Sequence, residues 1–325
     1  MSRLYSRIVG TGRCVPEKIL TNADLEKMVD TTDEWIRTRT GIHQRHIAGP
    51  HETTSSLALG AARQAMQAAG VSASDIDFVV VGTTTPDLVF PNVATQVSAA
   101  LGIEDRPAFS LETACSSFMY SLSIADKFVR CGEAQCALVI GADTLSRIVD
   151  WSDRNTCVLF ADGAGAVILK PSSEPGILTT HISADGQYKD LLYFPMGVSS
   201  GWDRLRAGDA AAIQMRGNEV FKVAVKTLSA LAEQTLEKAG LSKQDLDWLV
   251  PHQANLRIID AVARKLDLPM EKVVVTIQDF GNTSSAAVPM ALDVAIRDGR
   301  MRPGQLALLE AFGGGFTWGS ALVRL

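Results

Sequence analysis

One cysteine in this 325-residue chain stands where a nucleophile would. Cys115 follows a short apolar run and precedes a stretch with helical spacing of apolar residues, so the pattern places it at or near a helix N-terminus. The free N–H groups and the dipole of a helix N-terminus stabilise a thiolate. A thiolate is the form of cysteine that attacks an acyl carbon, which makes Cys115 the candidate nucleophile.

His252, Asn282 and a glycine run are its candidate partners. His252 follows the apolar run 249–251, and the carboxyl end of a strand faces the crevice where α/β proteins bind ligands. Alternatives stay open, because a single histidine is more often structural and an asparagine beside Gly281 is a common turn residue. The glycines at 313–315 form either a flexible turn or a closely approaching backbone whose N–H groups bind an oxyanion.

Two similar halves supply the elements that must position these residues. The segment 69–77 ends a helix at Ala-Gly and leads into an apolar strand, and the segment 239–247 repeats that pattern in the second half of the chain. A second pair of helices, which end at Gly132 and Gly299, is spaced slightly more closely than the first pair. At the spacing of this second pair Cys115 corresponds to Asn282, so we expect the two residues to occupy related turns.

Alternating helical and strand patterns predict the fold class. Residues 53–69 and 218–239 carry apolar residues at helical spacing, and short apolar runs separate such helices. This alternation predicts an α/β fold, and two copies predict a pseudo-two-fold axis with the site between the halves. The turn-rich stretch 170–176 places the boundary, which gives an N-terminal half of residues 1–172 and a C-terminal half of residues 173–325.

Composition narrows the function classes. The chain has 46% hydrophobic and 21% charged residues and a net charge of −5, so it is not built to bind nucleic acid or an anionic membrane. No apolar run approaches the roughly 18–20 residues that span a bilayer, and no signal-peptide pattern is present, so we expect a cytoplasmic protein. The five scattered cysteines argue against disulfides and against a zinc site.

The chain resembles the β-ketoacyl-acyl-carrier-protein synthase III family, the initiating condensing enzymes of bacterial type II fatty acid synthesis. The likeness covers essentially the whole chain and is densest at residues 21–25, 33–36, 39–42, 251–257, 281–284 and 311–320. The Cys–His–Asn combination is specific, because elongating synthases use Cys–His–His and thiolases use a second cysteine. The resemblance implies a duplicated thiolase-like fold, five-layered αβαβα, with two mixed sheets and pseudo-two-fold related halves.

The resemblance also implies an activity. Cys115 would take an acetyl group from acetyl-CoA, with the N–H groups of Cys115 and of Gly314 or Gly315 as the oxyanion hole. Malonyl-acyl-carrier protein would then lose CO2 while His252 and Asn282 donate hydrogen bonds to its thioester oxygen. The enolate would attack the acetyl group and give acetoacetyl-acyl-carrier protein. CoA thioester is a substrate here, and neither a cofactor nor a metal is implied.

Further binding residues follow from the same resemblance. Trp35 and Arg154 would flank the CoA adenine, Arg39 would lie near the CoA phosphates, and Asn218 and Asn255 would line the pantetheine channel. The ordinary alternatives are an amphipathic core residue for the tryptophan and a solvated surface charge for Arg154.

Two implied roles concern protein partners. Phe90 would reach the acyl pocket of a second subunit, which implies a homodimer. Lys222, Arg257, Arg264 and Lys265 would form a docking patch for the acidic acyl carrier protein. A normal solvated helix face is almost as good an interpretation of Arg264 and Lys265.

Three positions depart from the family pattern. Ser117 replaces the glycine two residues after the nucleophile, Glu112 stands where a small residue is common, and Phe280 replaces a frequent histidine. A carboxylate pointing at Cys115 would raise its pKa and slow acylation, although alternation along a strand can turn Glu112 away. The departures bear on primer preference and rate more than on reaction class.

Two other functions stay open at this point. A relative with the same three residues could make a quinolone, a polyketide or a long-chain ketone from a longer acyl primer. A catalytically silent acyl- or CoA-binding protein on the same fold is the other alternative, and the intact Cys115, His252 and Asn282 argue against it. The length of the acyl-CoA that the protein prefers distinguishes the first alternative from an initiating enzyme. Acylation of Cys115 by acetyl-CoA distinguishes an enzyme from the silent binding protein.

Overall fold

Strands and helices alternate along the chain in the computed structural model, which describes residues 4–209 and 211–325. The strands are β1 (Tyr5–Cys14), β2 (Ile19–Thr21), β3 (Gln44–His46), β4 (Phe78–Gly82), β5 (Ala108–Leu111), β6 (Ala137–Thr144), β7 (Asp162–Ser172), β8 (Ile177–Ala184), β9 (Leu192–Tyr193), β10 (Gln214–Met215), β11 (Trp248–Pro251), β12 (Leu306–Gly313) and β13 (Thr317–Arg324). The helices are α1 (Asn22–Leu25), α2 (Asp33–Thr40), α3 (Thr54–Ala69), α4 (Val93–Leu101), α5 (Ser117–Cys131), α6 (Arg154–Cys157), α7 (Trp202–Arg206), α8 (Gly217–Lys238), α9 (Leu256–Lys265), α10 (Ile277–Phe280) and α11 (Ala287–Arg297).

The two large sheets share one strand order. The first runs β1-β7-β6-β4-β5 and the second runs β8-β13-β12-β11. Strand β6 pairs parallel with β4 and antiparallel with β7, and β12 pairs parallel with β11 and antiparallel with β13. An isolated parallel bridge between Leu249 and Val273 stands where the second sheet would have the counterpart of β5. Both sheets are therefore mixed and related by duplication.

Apolar side chains arrange the helices in three layers around these sheets. Helices α3 and α4 cover the outer face of the first sheet, and α8 and α9 cover the outer face of the second. Helices α5 and α11 lie between the sheets, where Phe118, Leu122 and Leu292 are fully buried in one cluster with strands of both sheets. Burying one such side chain stabilises the fold by about 1.5–3 kcal/mol. The predicted αβαβα layering is confirmed. The boundary at residue 172 stays a prediction; β7 ends at Ser172 and β8 begins at Ile177.

The distance along the chain between the two Ala-Gly helix ends also separates the first residue of α5 from the first residue of α11. Short 3-10 turns at Ala114–Ser116 and Ser284–Ala286 precede α5 and α11, and their first residues share a left-handed backbone, with φ of 48° and 53°. Cys115 is therefore the counterpart of Ser285, and Glu112 is the counterpart of Asn282. The expected equivalence of Cys115 with Asn282 is wrong. It used the distance along the chain between the glycines that follow α5 and α11, and that distance is smaller only because α11 is shorter than α5.

A buried carboxylate on β6 connects the two halves. Asp143 Oδ1 accepts hydrogen bonds from the backbone nitrogens of Thr84 (2.8 Å) and Thr85 (3.2 Å) and from the hydroxyl of Thr83 (3.1 Å). Its Oδ2 accepts hydrogen bonds from the backbone nitrogen (3.1 Å) and the hydroxyl (2.8 Å) of Ser285. One side chain thus holds the end of β4 in the first half against the turn before α11 in the second.

Replacing this carboxylate by an amide should destabilise the fold. We expect Asp143→Asn to lower the free energy of unfolding by about 2–4 kcal/mol, because an NH2 group would then face N–H and O–H donors in a buried site. Urea denaturation measures the change. Asp105→Asn on an exposed loop is the matched control and should change the free energy by less than about 0.5 kcal/mol. Equal stability of the two variants would contradict this role of Asp143.

Candidate active site

The structure places Cys115, His252 and Asn282 on the wall of one cavity of about 290 Å³. All three are buried, with 4–7% of each residue exposed. The cysteine lies in the 3-10 turn two residues before α5, the histidine directly follows β11, and the asparagine follows α10. Three separate elements therefore converge on this site.

Backbone hydrogen bonds hold the histidine and the asparagine in place. The N–H of His252 donates to the carbonyl of Glu310 on β12 (2.8 Å). The N–H of Asn282 donates to the carbonyl of Leu159 (2.9 Å), and its side-chain Oδ1 accepts from the N–H of Ser284 (3.0 Å). Because Oδ1 is engaged in the turn, the amide nitrogen Nδ2 is the group of Asn282 that can donate to a ligand.

Burial keeps the imidazole neutral. It lowers the pKa of His252 to about 4, and Nδ1 has no hydrogen-bond partner within the described residues. A neutral imidazole carries one N–H donor and one acceptor nitrogen. At neutral pH His252 can therefore donate a hydrogen bond to a substrate oxygen without adding charge to the site.

Burial also keeps the cysteine protonated. It raises the pKa of the Cys115 thiol to about 12, opposed by a hydrogen bond from the Ser284 hydroxyl (3.5 Å) and reinforced by the negative charges of Asp143 and Glu112. The thiolate expected from a helix N-terminus is thus disfavoured in the unliganded site, because desolvation outweighs the stabilising contacts. The resting site holds a neutral thiol beside a neutral imidazole.

A second cavity, of about 390 Å³, also opens at Cys115. Gly314 and Gly315 line it, and a Cβ on the adjacent Gly313 would lie only 2.6 Å from the Cys115 backbone nitrogen. Only glycine allows this close approach, which brings the turn after β12 beside the nucleophile. Gly314 and Gly315 therefore share a cavity with Cys115, and their role as an oxyanion hole stays a prediction.

Glu112 lines this second cavity as well, which decides between the two directions that the sequence left open for its side chain. Strand β5 ends at Leu111, so the two-residue period of a strand no longer applies one residue later. The Glu112 carboxylate oxygen Oε1 instead accepts hydrogen bonds from the Ala114 backbone nitrogen (2.7 Å) and the Thr84 hydroxyl (3.1 Å). The other two departures, Ser117 and Phe280, do not line either cavity.

Four of the five residues expected at CoA line the first cavity: Trp35, Arg39, Asn218 and Asn255. The Asn255 amide donates to the carbonyl of Arg39 (3.1 Å), which joins α2 to the start of α9 at this cavity. Arg154 does not line the cavity, and its guanidinium lies 5.1 Å from the centre of the Trp35 ring. An adenine between these two side chains would therefore require Arg154 to move.

The residues expected at protein partners lie on the surface. Lys222, Arg257, Arg264 and Lys265 are all exposed. Arg257 also lines the first cavity, whereas Arg264 forms an ion pair with Asp260 (2.7 Å). Of the four, only Arg257 lines the cavity; Lys222 lies on α8 next to the lining residue Phe221, and the other two residues lie further along α9.

Phe90 stands outside both cavities of its own chain. Its exposed fraction is 83%, and the neighbouring Leu88 and Val89 are exposed by 51% and 69%. Three consecutive exposed apolar side chains form a patch that typically contacts another protein surface.

Sequence reasoning missed several residues of the site, including the following three. The Ser284 hydroxyl contacts Cys115, Leu192 lines both cavities, and Phe221 lines the first. The spacing of the duplicated halves could have identified Ser284 as the counterpart of Ala114. Leu192 belongs to a two-residue strand with no periodic signal, and an apolar residue on α8 such as Phe221 has the pattern of any core residue.

The fold and the site together define the class: an acyltransferase of the condensing type with a duplicated thiolase-like fold. Residues 109–186 match the domain family described as 3-oxoacyl-[acyl-carrier-protein] synthase III, and residues 236–325 match its C-terminal domain. A β-ketoacyl-[acyl-carrier-protein] synthase III of Thioalkalivibrio sulfidiphilus is 60% identical over 98% of this chain and 99% of that protein. The one from Xanthomonas campestris pv. campestris is 61% identical over 99% of each chain.

Solved structures agree with the sequence matches. The 3-oxoacyl-[acyl-carrier-protein] synthase III of Aquifex aeolicus superposes with a TM-score of 0.92 at 46% identity, covering 98% of this chain and 100% of that one. The priming β-ketosynthase of the R1128 polyketide pathway gives a TM-score of 0.94 at 38% identity, covering 100% and 97%. This chain belongs to the 3-oxoacyl-[acyl-carrier-protein] synthase III family.

Within residues 4–209 and 211–325, none of the helices combines the length and the apolar character that a membrane-spanning helix needs. No group of three or more histidine, cysteine, aspartate or glutamate residues in the same ranges could hold a metal ion.

The raised thiol pKa predicts how Cys115 reacts with an alkylating agent. We expect its rate of alkylation by iodoacetamide to increase about tenfold per pH unit from pH 7 to pH 10, because only the thiolate reacts and its fraction grows in that proportion below the pKa. Peptide mass spectrometry follows the reaction at this residue, and Cys115→Ser serves as the assignment control. A plateau below pH 9 would show that the start of α5 outweighs burial.

Proposed function

We propose that this chain catalyses the decarboxylative Claisen condensation of acetyl-CoA with malonyl-acyl-carrier protein. The products are acetoacetyl-acyl-carrier protein, CO2 and CoA, and the reaction initiates type II fatty acid synthesis in the cytoplasm. The observation that carries the proposal is that Cys115, His252 and Asn282 line one cavity while the cysteine also opens onto a second. One cavity suits the thioester arm of the substrates, and the other suits the acyl group. No cofactor takes part.

In the first half-reaction Cys115 Sγ attacks the thioester carbon of acetyl-CoA. The tetrahedral oxyanion receives hydrogen bonds from the N–H groups of Cys115 and of Gly314 or Gly315, which act where the charge develops. The C–S bond to CoA breaks, the acetyl group stays on Cys115, and the thiol proton ends on the departing CoA. Neutral His252 can relay that proton, because its lowered pKa leaves an acceptor nitrogen at neutral pH.

In the second half-reaction malonyl-acyl-carrier protein replaces CoA in the first cavity. Loss of CO2 leaves the electron pair of the broken C–C bond as an enolate, so no side chain needs to remove a proton from carbon. The His252 N–H and the Asn282 amide nitrogen donate to the enolate oxygen. The enolate carbon attacks the acetyl group on Cys115, the C–S bond breaks, and a proton returns the thiolate to the thiol.

The two half-reactions predict separable defects. Cys115→Ala should form no acyl-enzyme and no product. Asn282→Ala should still become acetylated, whereas condensation should fall by about 10²–10³ because one enolate donor is lost. His252→Ala should show the same loss of condensation and should also be acetylated more slowly, because the proton relay is lost. Intact-protein mass spectrometry measures acetylation, and acetoacetyl product measures condensation.

The same measurements separate the alternatives. A wild-type protein that binds CoA but never acquires an acetyl or other acyl group on Cys115 would contradict the condensing function and leave a silent binding protein. A wild type that condenses acyl groups of about eight carbons but not acetyl would make it a specialised synthase with a longer primer.

Acyl carrier protein would dock where α8 and α9 meet the first cavity. Lys222 and Arg257 are exposed there, which suits an acidic partner despite the net charge of −5. Lys222→Glu should raise the KM for malonyl-acyl-carrier protein about tenfold and leave acetyl transfer from acetyl-CoA within about threefold, because Lys222 lines neither cavity. Arg300→Glu, remote from the cavities, is the control. Equal KM values for the two variants would remove Lys222 from the docking surface.

A homodimer would cover the exposed apolar patch at residues 88–90. Phe90 would enter the acyl cavity of the second copy, since it reaches neither cavity of its own chain. Phe90→Asp should shift the sedimentation coefficient from dimer towards monomer, because a charge buried at an interface is costly. A wild type that sediments as a monomer at micromolar concentration would contradict the dimer.

A further inference from the structure

The hydroxyl of Ser284 takes no part in the half-reactions above, although it contacts the reacting sulfur. Ser284 is 2% exposed, lies in the 3-10 turn before α11, and lines the second cavity together with Cys115. Its Oγ donates a hydrogen bond to Cys115 Sγ, with 3.5 Å between the two atoms. The serine and the cysteine come from different halves of the chain, so the contact exists only because the two related turns meet.

The sulfur is the only hydrogen-bond partner that the described part of the chain offers to this hydroxyl. Neighbouring serines bond to oxygen atoms instead. The Ser285 hydroxyl donates to the carboxylate of Asp143 (2.8 Å), and the Ser116 hydroxyl donates to the carbonyl of Thr113 (2.8 Å). A buried hydroxyl without a partner is costly, and the partner of Ser284 is the nucleophile itself.

The turn before α11 does not need this hydroxyl in order to form. Ala114 corresponds to Ser284 in the duplicated fold, and both residues have a left-handed backbone, with φ of 48° and 53°. The first turn therefore takes the same shape without a hydroxyl. Within its own turn Ser284 uses its backbone N–H, which donates to Oδ1 of Asn282 (3.0 Å). The side chain is left for the sulfur.

A donor at the sulfur acts most strongly on the charged form of the cysteine. A hydrogen bond to an ionised acceptor is roughly twice as strong as one to a neutral acceptor. The Cys115 thiol is neutral at rest, whereas the thiolate is the form that attacks a thioester. A fixed donor therefore stabilises the reacting form more than the resting form, which lowers the barrier to attack. The same contact opposes the rise that burial causes in the pKa of Cys115.

We propose that the Ser284 hydroxyl is a catalytic hydrogen-bond donor that stabilises the thiolate of Cys115 in both half-reactions. When the S–H bond breaks, the electron pair stays on sulfur and the proton leaves through His252. When the bond from the acetyl carbon to sulfur breaks, that pair returns to sulfur as the thiolate. Ser284 keeps its own proton throughout and acts as a donor only. The inference rests on the proposed transfer of an acetyl group to Cys115.

Two substitutions separate the hydroxyl from the backbone of the turn. Ser284→Ala removes the hydroxyl and keeps a Cβ in the left-handed conformation, whereas Ser284→Gly removes the hydroxyl and adopts that conformation more easily. Loss of the donor should reduce the thiolate fraction about tenfold. The more basic thiolate is also the better nucleophile, which recovers part of that loss.

The test measures first-order rate constants at Cys115 by mass spectrometry, for acetylation at saturating acetyl-CoA and for alkylation by iodoacetamide at pH 8. We expect both serine variants to lower both rate constants about three- to tenfold. Ser121→Ala is the matched control, because it removes a buried hydroxyl that has no partner among the described residues, and it should change each rate constant by less than about twofold. Unfolded molecules would appear as a separate fast phase of alkylation, since an exposed thiol has an ordinary pKa.

The outcomes separate the inference from the proposed function. Unchanged rate constants in both serine variants, a fall in alkylation without a fall in acetylation, or an equal fall in Ser121→Ala would overturn the role of the hydroxyl and leave acetyl transfer intact. A loss in Ser284→Ala that is absent in Ser284→Gly would assign the effect to the backbone and overturn it as well. A wild type that is alkylated at Cys115 but never acetylated would overturn the proposed function, and the inference with it.

Discussion

The hydrogen bonds between Asp143 and Ser285 are the constraint on which the site depends. A buried carboxylate must collect several donors, and this one takes them from the end of β4 and from the turn before α11. The neighbour of Ser285 in that turn is Ser284, whose hydroxyl reaches the sulfur of Cys115. The asparagine and the cysteine come from different halves of the chain, and they share a cavity because this contact fixes one half against the other.

Burial then determines the charge state of the site. It raises the thiol pKa of Cys115 and lowers the pKa of His252, and on neighbouring β12 it raises the pKa of Glu310 to about 8. Neither carboxyl oxygen of Glu310 has a partner within the described residues, so at neutral pH this group is mostly protonated. Neutral reacting groups let hydrogen-bond donors act strongly on charge that develops during reaction. Charged side chains lie around them, because Arg39 and Arg257 line the first cavity and Glu112 lines the second.

The local sequence pattern predicted the bounds of helices well. It predicted less well which residues of the two halves correspond to each other. Apolar periodicity placed a helix at residues 53–69 and another at 218–239, within a residue of Thr54–Ala69 and Gly217–Lys238. The alignment of Cys115 with Asn282 failed because it was measured from the glycines after the central helices, and these helices differ in length. The sequence left the direction of the Glu112 side chain open, and strand alternation could not decide it because β5 ends one residue before Glu112.

The sequence by itself determined the α/β alternation, the duplication and the residue types able to transfer an acyl group, because periodicity, turn glycines and side-chain chemistry are local properties of the chain. Only the tertiary structure decided that Cys115 has a raised pKa, that the turn engages the side-chain oxygen of Asn282, and that Glu112 lines a cavity together with Cys115. Desolvation and contact depend on atoms from segments far apart in the chain, and no local pattern specifies where those atoms meet.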